Sequence, residues 1–455
     1  MSDKANSKYR QNHFRSGIAL VWTAIVLLVL ILFVGLALDS AKVYLAANQL
    51  QNAADAAALA GAQIVTAGNN TNTRQRAYDL ASANYYVDGS SVLLNKDRDI
   101  AIGLYFPQRT DPTRRFEPTD VNANAVKVVP KCITGQANPP VSLNFGPILR
   151  ILPPFVGIDN ANVDANAIAV SIGGKGAGLI VLDPHGAPGL ELDGTTTTLM
   201  VNNGAIQVNS LGGVGPGKND ASVWNSAGSN ITAQEIDICG ALDTYKGTIP
   251  DEPPVFFGVP YMPDPLRNLV PPPSSSWGPD LSPIDPHNGK RLPLTSGHYG
   301  PGYYSAGISG SGDLTLDAGI YILDGAGLQI GGNGNFTALS VMFYITGSGS
   351  VNLTGTGNLT ITEFNDSSSI YNGMAIFQDR ENYNDATIKG TNAMNLTGTL
   401  YFPKNHVNLS GSSISLGIQL IAWTLKVGGG GSNTDLIINY DGRNFTPGFT
   451  SFLVE

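Results

Sequence analysis

The side chains that could carry chemistry are few and scattered along the chain. No two of the five histidines stand at a metal-ligand spacing such as HxxxH; they are His13, His185, His287, His298 and His406. The sequence has neither a GxSxG nucleophile motif nor a phosphate-binding GxxxxGK[ST] motif. We therefore expect no metal site, no cofactor and no catalytic residue of these kinds.

Carboxylates near predicted strand ends are the remaining candidates for catalysis. Asp379 and Arg380, in the sequence FQDR, form a candidate surface site in which the arginine would hold a substrate carboxylate. Asp313, Asp317 and Asp324 also follow short apolar runs. Glycoside hydrolysis needs two carboxyl groups about 5–9 Å apart, and the sequence does not show such a pair. Local ion pairing in FQDR, turn chemistry and turn-bound Ca²⁺ are the alternative interpretations.

Two cysteines, Cys132 and Cys239, lack a CxxC partner. A disulfide between them would close a loop of about 107 residues and contribute roughly 4–5 kcal/mol in the chain-entropy model. Two separate buried thiols are the alternative, and the sequence leaves both open.

Composition restricts the class of protein. The chain has 455 residues, of which 42% are hydrophobic and only 13% charged, with 54 glycines and 28 prolines. This composition favours short strands joined by tight turns. The formal net charge of -9 and the absence of a basic stripe exclude a nucleic-acid partner.

One continuous apolar run, residues 18–38, predicts a helix that crosses a lipid bilayer. Lys4, Lys8, Arg10 and Arg15 precede it, whereas Asp39 follows it. The positive-inside rule therefore predicts a single-pass inner-membrane protein with a cytoplasmic N-terminus and a periplasmic or extracellular bulk. A cleaved signal peptide is the alternative, although its apolar region is usually only about 7–15 residues long.

The helix signal continues beyond the span to residue 63. Small and apolar residues recur there at three- and four-residue spacing. Small side chains allow close approach of another backbone. The predicted interface consists of Leu50, Ala54, Ala57, Ala58 and Gly61. Packing of this face on the chain's own exported domain is the alternative.

The N-terminal sequence resembles TadG-like proteins of the tight-adherence (Tad, Flp pilus) machinery. The resemblance rests on the basic lead, Gly17, the apolar span, Asp39 followed by Tyr44, and LQNAADAAALAGA from Leu50 to Ala62. In the related TadE and TadF proteins, a Glu lies five residues after the glycine at which processing occurs. Trp22 occupies that position here, so cleavage after Gly17 is left open.

The remaining chain divides into regions that differ in composition and residue pattern. Residues 67–175 read as a small α+β region with an apolar insertion at 139–158. Residues 176–248 and 297–455 repeat short alternating apolar runs followed by Gly, Asn or Asp. This spacing predicts a mainly β fold, specifically a right-handed parallel β-helix-like solenoid, with a β-sandwich as the alternative. The proline-rich residues 249–296 should wrap a surface. A basic tail, 1–17, and the long helix, 18–66, precede these regions.

The resemblance implies a non-enzymatic, membrane-anchored extracytoplasmic protein that acts in Flp pilus assembly or anchoring and in surface adhesion. The implied partners are the lipid bilayer, other Tad or pilus-assembly proteins, and surface glycans. The alternative is a membrane-tethered β-helix enzyme, a lyase or glycosidase, that acts on a polysaccharide.

Overall fold

We analysed a computed structural model of the chain. It describes residues 3–65, 70–86, 89–121, 123–133, 138–143, 160–172, 176–186, 188–194, 196–213, 221–226, 228–243, 253–390, 394–428, 434–441 and 450–454. Most of the predicted apolar insertion, residues 144–158, lies outside the described residues. The chain forms two compact units. Unit 1 comprises Met1–Gly103, Pro118–Ser171 and Ser451–Glu455, and unit 2 comprises Leu104–Glu117 and Ile172–Thr450.

Unit 1 combines two helices with a small sheet. Its elements are α1 (Asp3–Ala62), α2 (Asn70–Ser82), β1 (Ile100–Tyr105), β2 (Phe116–Pro118), β3 (Ala125–Val128), β4 (Lys131–Cys132), β5 (Val141–Ser142), β6 (Asn160–Ala161), β7 (Val163–Asp164), β8 (Ala167–Ile172) and, at the other end of the chain, β35 (Thr450–Leu453). A 3₁₀-helix, Pro112–Arg114, precedes β2 and belongs to unit 2.

Helix α1 is one continuous element, as strong helix formers and the absence of proline predict. The large apolar side chains of the span are exposed, including Leu20 at 73% and Phe33 at 64%. Beyond the span, one face of the same helix is buried. The helix therefore passes from an environment that must be apolar into the core of a folded unit.

The unit 1 sheet has the strand order β2-β1-β3-β8-β35. Strands β1 and β3 pair antiparallel, with Ile102 opposite Val126, and β3 pairs antiparallel with β8. The last strand comes from the C-terminus, where the Val454 amide donates to the Ile168 carbonyl at 2.9 Å. A sequence-based division at residue 175 does not anticipate this returning strand.

Unit 2 is mostly β. Its strands are β9 (Ala177–Val181), β10 (Leu190–Asp193), β11 (Thr198–Asn202), β12 (Ala205–Val208), β13 (Val223–Asn225), β14 (Asn230–Thr232), β15 (Glu235–Ile238), β16 (Leu242–Asp243), β17 (Val255–Phe257), β18 (Gly297–Tyr299), β19 (Gly302–Tyr304), β20 (Ile308–Gly310), β21 (Leu314–Leu316), β22 (Gly319–Leu323), β23 (Gly327–Ile330), β24 (Phe336–Ala338), β25 (Val341–Ile345), β26 (Ser350–Leu353), β27 (Leu359–Ile361), β28 (Met374–Gln378), β29 (Ala386–Gly390), β30 (Met394–Leu396), β31 (Thr399–Gly411), β32 (Ser413–Gly417), β33 (Gln419–Gly428) and β34 (Asp435–Asn439). A 3₁₀-helix spans Ser274–Ser276.

The strands of unit 2 pair by a regular rule. Every strand from β18 to β28 pairs in parallel with the strand three positions later in the chain. The same rule joins β9 to β12, β10 to β13 and β11 to β14. The result is a 17-stranded sheet and a 9-stranded sheet. These pairings are parallel, whereas the sandwich alternative requires antiparallel sheets.

The two stretches of short strands join in an order that differs from chain order. Strand β33 pairs in parallel with β9 and β10, and β34 pairs in parallel with β11. The C-terminal end of the second stretch therefore lies beside the N-terminal strands of the first. Residues that connect β17 to β18 must return along the whole stack.

Strand residues alternate between the interior and the outer faces. In β21, Leu314 and Leu316 are buried while Thr315 is exposed, and in β24 and β27 two buried residues flank a half-buried threonine. Aromatic side chains continue from strand to strand, with the Tyr304 and Tyr321 rings 6.0 Å apart and those of Tyr321 and Phe343 5.9 Å apart. The buried apolar rows form the continuous core of unit 2.

Residues 259–281, here called the strap, lie on the outer face of the 17-stranded sheet. The strap covers an in-register apolar row composed of Tyr303, Ile322, Tyr344, Phe377, Tyr401, Ile421 and Ile180. Leu266 is buried against this row, and the Trp277 ring lies 5.1 Å from the Tyr303 ring. The proline-rich segment thus runs back along the sheet from β17 to β18, as the strand order requires.

Candidate functional site

The five predicted interface residues lie together on α1 and are buried inside unit 1. Leu50, Ala54, Ala57 and Ala58 have no exposed surface, and they belong to the core cluster that includes Ala77 of α2. A Cβ atom added at Gly61 would lie only 3.1 Å from Val126 Cγ1 of β3. The small side chains therefore allow α2 and the sheet of the same chain to approach the helix.

The opposite face of the same helical segment is open. Tyr44 is 70% exposed, and Ala41, Asn48 and Asn52 are also exposed. Tyr44 lies five residues beyond Asp39, and aromatic side chains that follow an apolar span favour the membrane interface.

The N-terminal helix has the length and composition of a membrane span. Residues Ala19–Ala62 contain an 18-residue window with a mean hydropathy of 2.9, and only 6% of that window is buried. It is the one such helix among the described residues. It fits a single-pass anchor.

Comparison with known protein families agrees with this geometry. Residues 17–63 match the sequence model of the putative Flp pilus-assembly TadE/G-like family, Tad. Residues 17–63 are a Tad-like segment. The match covers the span together with the buried small-residue face, and it confirms the resemblance stated from the sequence. No curated protein and no solved structure matches the chain.

Outside the Tad segment, Arg380 binds the strap. Its Nε donates to the Tyr401 hydroxyl at 3.1 Å, and its two terminal nitrogens donate to the carbonyl oxygens of Leu269, at 3.0 Å, and Leu266. The guanidinium carbon lies 5.4 Å from the centres of both the Phe377 and Tyr401 rings. The interpretation of FQDR as a local ion pair is wrong, because this arginine binds carbonyl groups of a distant segment.

Asp379 is also engaged within the chain. One of its oxygens accepts from the Tyr344 hydroxyl, and the other accepts from the Glu381 amide at 2.9 Å. Burial, together with this carboxylate, raises the pKa of Tyr344. Asp379 and Arg380 thus support the aromatic row and the strap, and the candidate surface site at this pair stays a prediction.

The three strand-end aspartates act in turns or on the surface. Asp313 accepts from the Asn335 amide at 2.8 Å, and Asp324 accepts from the Gly325 amide at 2.7 Å. Asp317 lies 2.6 Å from Nε2 of His298. No group of three His, Cys, Asp or Glu side chains in the described part of the chain is arranged to hold a metal ion.

The two cysteines lie in different units and are not joined by a disulfide in this structure. Cys132 belongs to the core of unit 1. Cys239 Sγ lies 3.8 Å from Asn209 Oδ1 in unit 2. Burial and the neighbouring Asp237 raise the pKa of Cys239 to about 11, which keeps it protonated and poorly reactive. The disulfide between Cys132 and Cys239 stays a prediction.

Sequence reasoning missed an arginine-bearing loop at the edge of unit 2. A cavity of about 190 Å³ is lined by Gln108, Arg109, Thr110, Asp111 and Arg114. Gln108 donates to the Pro253 carbonyl at 3.0 Å and accepts from the Val255 amide at 3.2 Å, so it caps the edge strand β17. Only the cluster of arginines could have drawn attention to this loop.

Proposed function

We propose that this chain is a non-enzymatic, membrane-anchored extracytoplasmic protein of a Tad/Flp pilus system that acts in pilus assembly or anchoring and in surface adhesion. The observation that carries the proposal is the Tad match over residues 17–63, on a helix that is apolar in the span and continues into the core of unit 1. An anchor built in this way couples the membrane to the folded unit without a flexible linker.

The proposed orientation places the N-terminus in the cytoplasm and both units outside it. It is supported by the basic residues before the span and Asp39 after it. Cysteines introduced as Ser2→Cys and Tyr383→Cys test it, because Tyr383 is 64% exposed. A membrane-impermeant maleimide should label only the second variant in cells with a permeabilised outer layer. Labelling of the first variant alone would reverse the orientation.

We also propose that unit 2 is a right-handed parallel β-helix-like solenoid. The support is the pairing of every strand from β18 to β28 with the strand three positions later, together with the alternation of buried and outward residues. Such a rigid scaffold would present outer faces in a fixed conformation, which lowers the entropic cost of binding.

Complementation of cells that lack this protein tests the role in piliation. The full chain should restore shearable pili. A control chain, in which a cleavable signal peptide replaces residues 1–38, should export both units but fail to restore pili. Normal piliation in the deletion strain would overturn the proposal, and rescue by the control would overturn the anchoring role.

The native N-terminus tests processing of the Tad segment. Intact mass should show an unprocessed chain confined to the membrane fraction. A chain that starts at Ile18 in the sheared-surface fraction would instead indicate a minor filament subunit, despite Trp22.

A further inference from the structure

The strands of unit 2 repeat the acceptor tripeptide of N-glycosylation, Asn-X-Ser or Asn-X-Thr. The repeat arises because a strand alternates an outward Asn, a buried apolar residue and an outward Ser or Thr. Two further tripeptides of this kind, which begin at residues 69 and 444, lie outside the described residues. Those within the described residues begin at Asn230, Asn335, Asn352, Asn358, Asn365, Asn395 and Asn408.

Six of these seven tripeptides are held in the sheets. Their central residues are at most 4% exposed, and they are Ile231, Phe336, Leu353, Leu359, Leu396 and Leu409. Strand pairing also fixes the backbone, as where Phe336 pairs with Leu314 on one side and with Leu359 on the other. A glycosyltransferase must bind the acceptor tripeptide in its own groove, so it could use these six only by pulling a strand out of its sheet.

Asn365 is the exception, because its tripeptide lies in a loop. The loop, residues 362–373, joins β27 to β28. Asn365, Asp366 and Ser367 are all exposed, and none of them belongs to a strand. A transferase can therefore reach both the side chains and the backbone of this tripeptide in the folded protein.

Hydrogen bonds hold the backbone of this loop but leave the acceptor side chains open. The Gly373 amide donates to the Phe364 carbonyl at 2.8 Å, and the Asn365 amide donates to Ser340 Oγ at 3.1 Å. Within the part of the chain that the structure describes, neither the Asn365 carboxamide nor the Ser367 hydroxyl makes a hydrogen bond to the protein. The loop thus presents the Asn365 carboxamide to solvent.

Asp366, the central residue of the tripeptide, is engaged elsewhere. Its Oδ1 accepts from the Ser368 amide at 3.0 Å and from the Ser368 hydroxyl at 2.7 Å, and these hydrogen bonds lower the pKa of Asp366. The carboxylate is therefore satisfied within its own turn, and it does not occupy the donors of Asn365 or Ser367.

We infer that Asn365 is an N-glycosylation site whose substrate is an oligosaccharide carried on a polyprenyl pyrophosphate. The Asn365 side-chain nitrogen forms a bond to the anomeric carbon of the first sugar, and the bond from that carbon to the pyrophosphate oxygen breaks. The pyrophosphate leaves with the bonding electron pair, and the nitrogen loses one proton to a base of the transferase. The inference rests on the proposed orientation, which places unit 2 outside the cytoplasm, because such acceptors lie on surface loops of exported proteins.

Mass spectrometry of peptides from the native chain tests the inference. The chain is purified from the membranes of its own cells, and the peptide that contains Asn365 is compared with those that contain the strand tripeptides. We expect an excess mass of one oligosaccharide on the Asn365 peptide and none on the others. Measuring single peptides separates this modification from any processing near the N-terminus.

Variants at exposed positions identify the acceptor. Asn365→Gln and Ser367→Ala should each abolish the excess mass, whereas Ser367→Thr should retain it because threonine keeps the hydroxyl. Asn395→Gln, which replaces an exposed asparagine of a strand tripeptide, is the matched control and should leave the modification unchanged.

An unmodified Asn365 peptide, an excess mass that survives Asn365→Gln, or glycans on the strand tripeptides would overturn the inference. Labelling of the Tyr383→Cys variant scores the orientation separately. If that variant is labelled from outside while Asn365 is unmodified, only the glycosylation is refuted, whereas an unlabelled variant refutes the orientation itself.

Discussion

At the scale of single residues, Arg380 shows how a charged side chain can be misassigned. Its position beside Asp379 suggests a substrate clamp or a local ion pair, because sequence displays neighbours only along the chain. The structure instead directs its donors to the carbonyls of Leu266 and Leu269, more than a hundred residues away. No local pattern encodes this contact.

Replacement of Arg380 should loosen the strap. Arg380→Met removes two hydrogen bonds to strap carbonyls and one to Tyr401, and we expect a loss of about 2–4 kcal/mol in the free energy of unfolding. Arg267, exposed in the strap, supplies a tryptic site that reports local opening. Cleavage after Arg267 should become faster in Arg380→Met and remain slow in the exposed control Lys389→Met. Equal cleavage rates in both variants would contradict this role.

Asp280 makes the end of the strap sensitive to acid. Burial raises its pKa, but hydrogen bonds from the Ser305 hydroxyl and from the amides of Ser282 and Ser305 outweigh burial and hold the pKa at about 2. A folded-state pKa below the unfolded value of roughly 3.9 gives stability that is present above about pH 4 and is lost as the pH falls through 2.

Asp280→Asn should therefore be less stable than the wild type by about 1–2 kcal/mol at pH 7, and the difference should disappear near pH 2. Urea midpoints at pH 7, 4 and 2.5 measure the effect. The exposed control Asp385→Asn should remain within about 0.5 kcal/mol of the wild type at pH 7. A difference for Asp280→Asn that persists unchanged at low pH would refute the assignment.

At the scale of elements, one part of α1 is an exposed apolar span and the next part packs in the core of unit 1. The apolar run and the small-residue stripe were both readable from sequence. The sequence did not show what the stripe packs against, because alanines at three- and four-residue spacing suit a second protein as well as the chain's own sheet. The close approach of Gly61 to Val126 identifies the chain's own sheet as the partner, and this strand lies far along the chain from the helix.

Enlarging the buried face should damage unit 1, whereas enlarging the open face should not. Ala54→Leu would overpack a position with no exposed surface and should cost about 1–3 kcal/mol. Ala41→Leu makes the same change at an exposed position of the same helix and should cost less than about 0.5 kcal/mol. Hydrogen exchange of the β3 amides measures both. Equal protection in the two variants would show that the stripe is not packed as described.

Short strands were predictable for a related reason. Alternation of apolar and polar residues, as in Leu314, Thr315 and Leu316, follows from the period of a strand and is a local signal. Which strand pairs with which is not local. The sequence therefore favoured a mainly β region, but it did not reveal that β33 lies beside β9.

At the scale of the whole molecule, both ends of the chain meet in one unit. Helix α1 begins unit 1, and β35 completes the edge of its sheet after unit 2 has been built. Strand β35 has only four residues, with weak alternation of apolar and polar side chains, so the sequence did not predict that it joins the unit 1 sheet. The integrity of the unit 1 sheet thus depends on β35.

Removal of a single amide tests that dependence. Val454→Pro abolishes the donor to the Ile168 carbonyl, whereas Val454→Ala retains it. We expect a loss of about 1 kcal/mol and faster hydrogen exchange in β8 for the proline variant only. The same exchange rate in both variants would show that β35 contributes nothing to the edge.

The pairing of β9 with β33 also determines how late in synthesis the sheet of unit 2 can be completed. Leu179 is made about 240 residues before its partner Leu420, and at roughly 5–20 residues per second the ribosome needs on the order of 10–50 seconds to supply it. During that interval the nascent first stretch keeps one ladder edge without its final neighbour. Because unpaired strand edges promote association with other chains, the first stretch is exposed to misassembly until β33 is available.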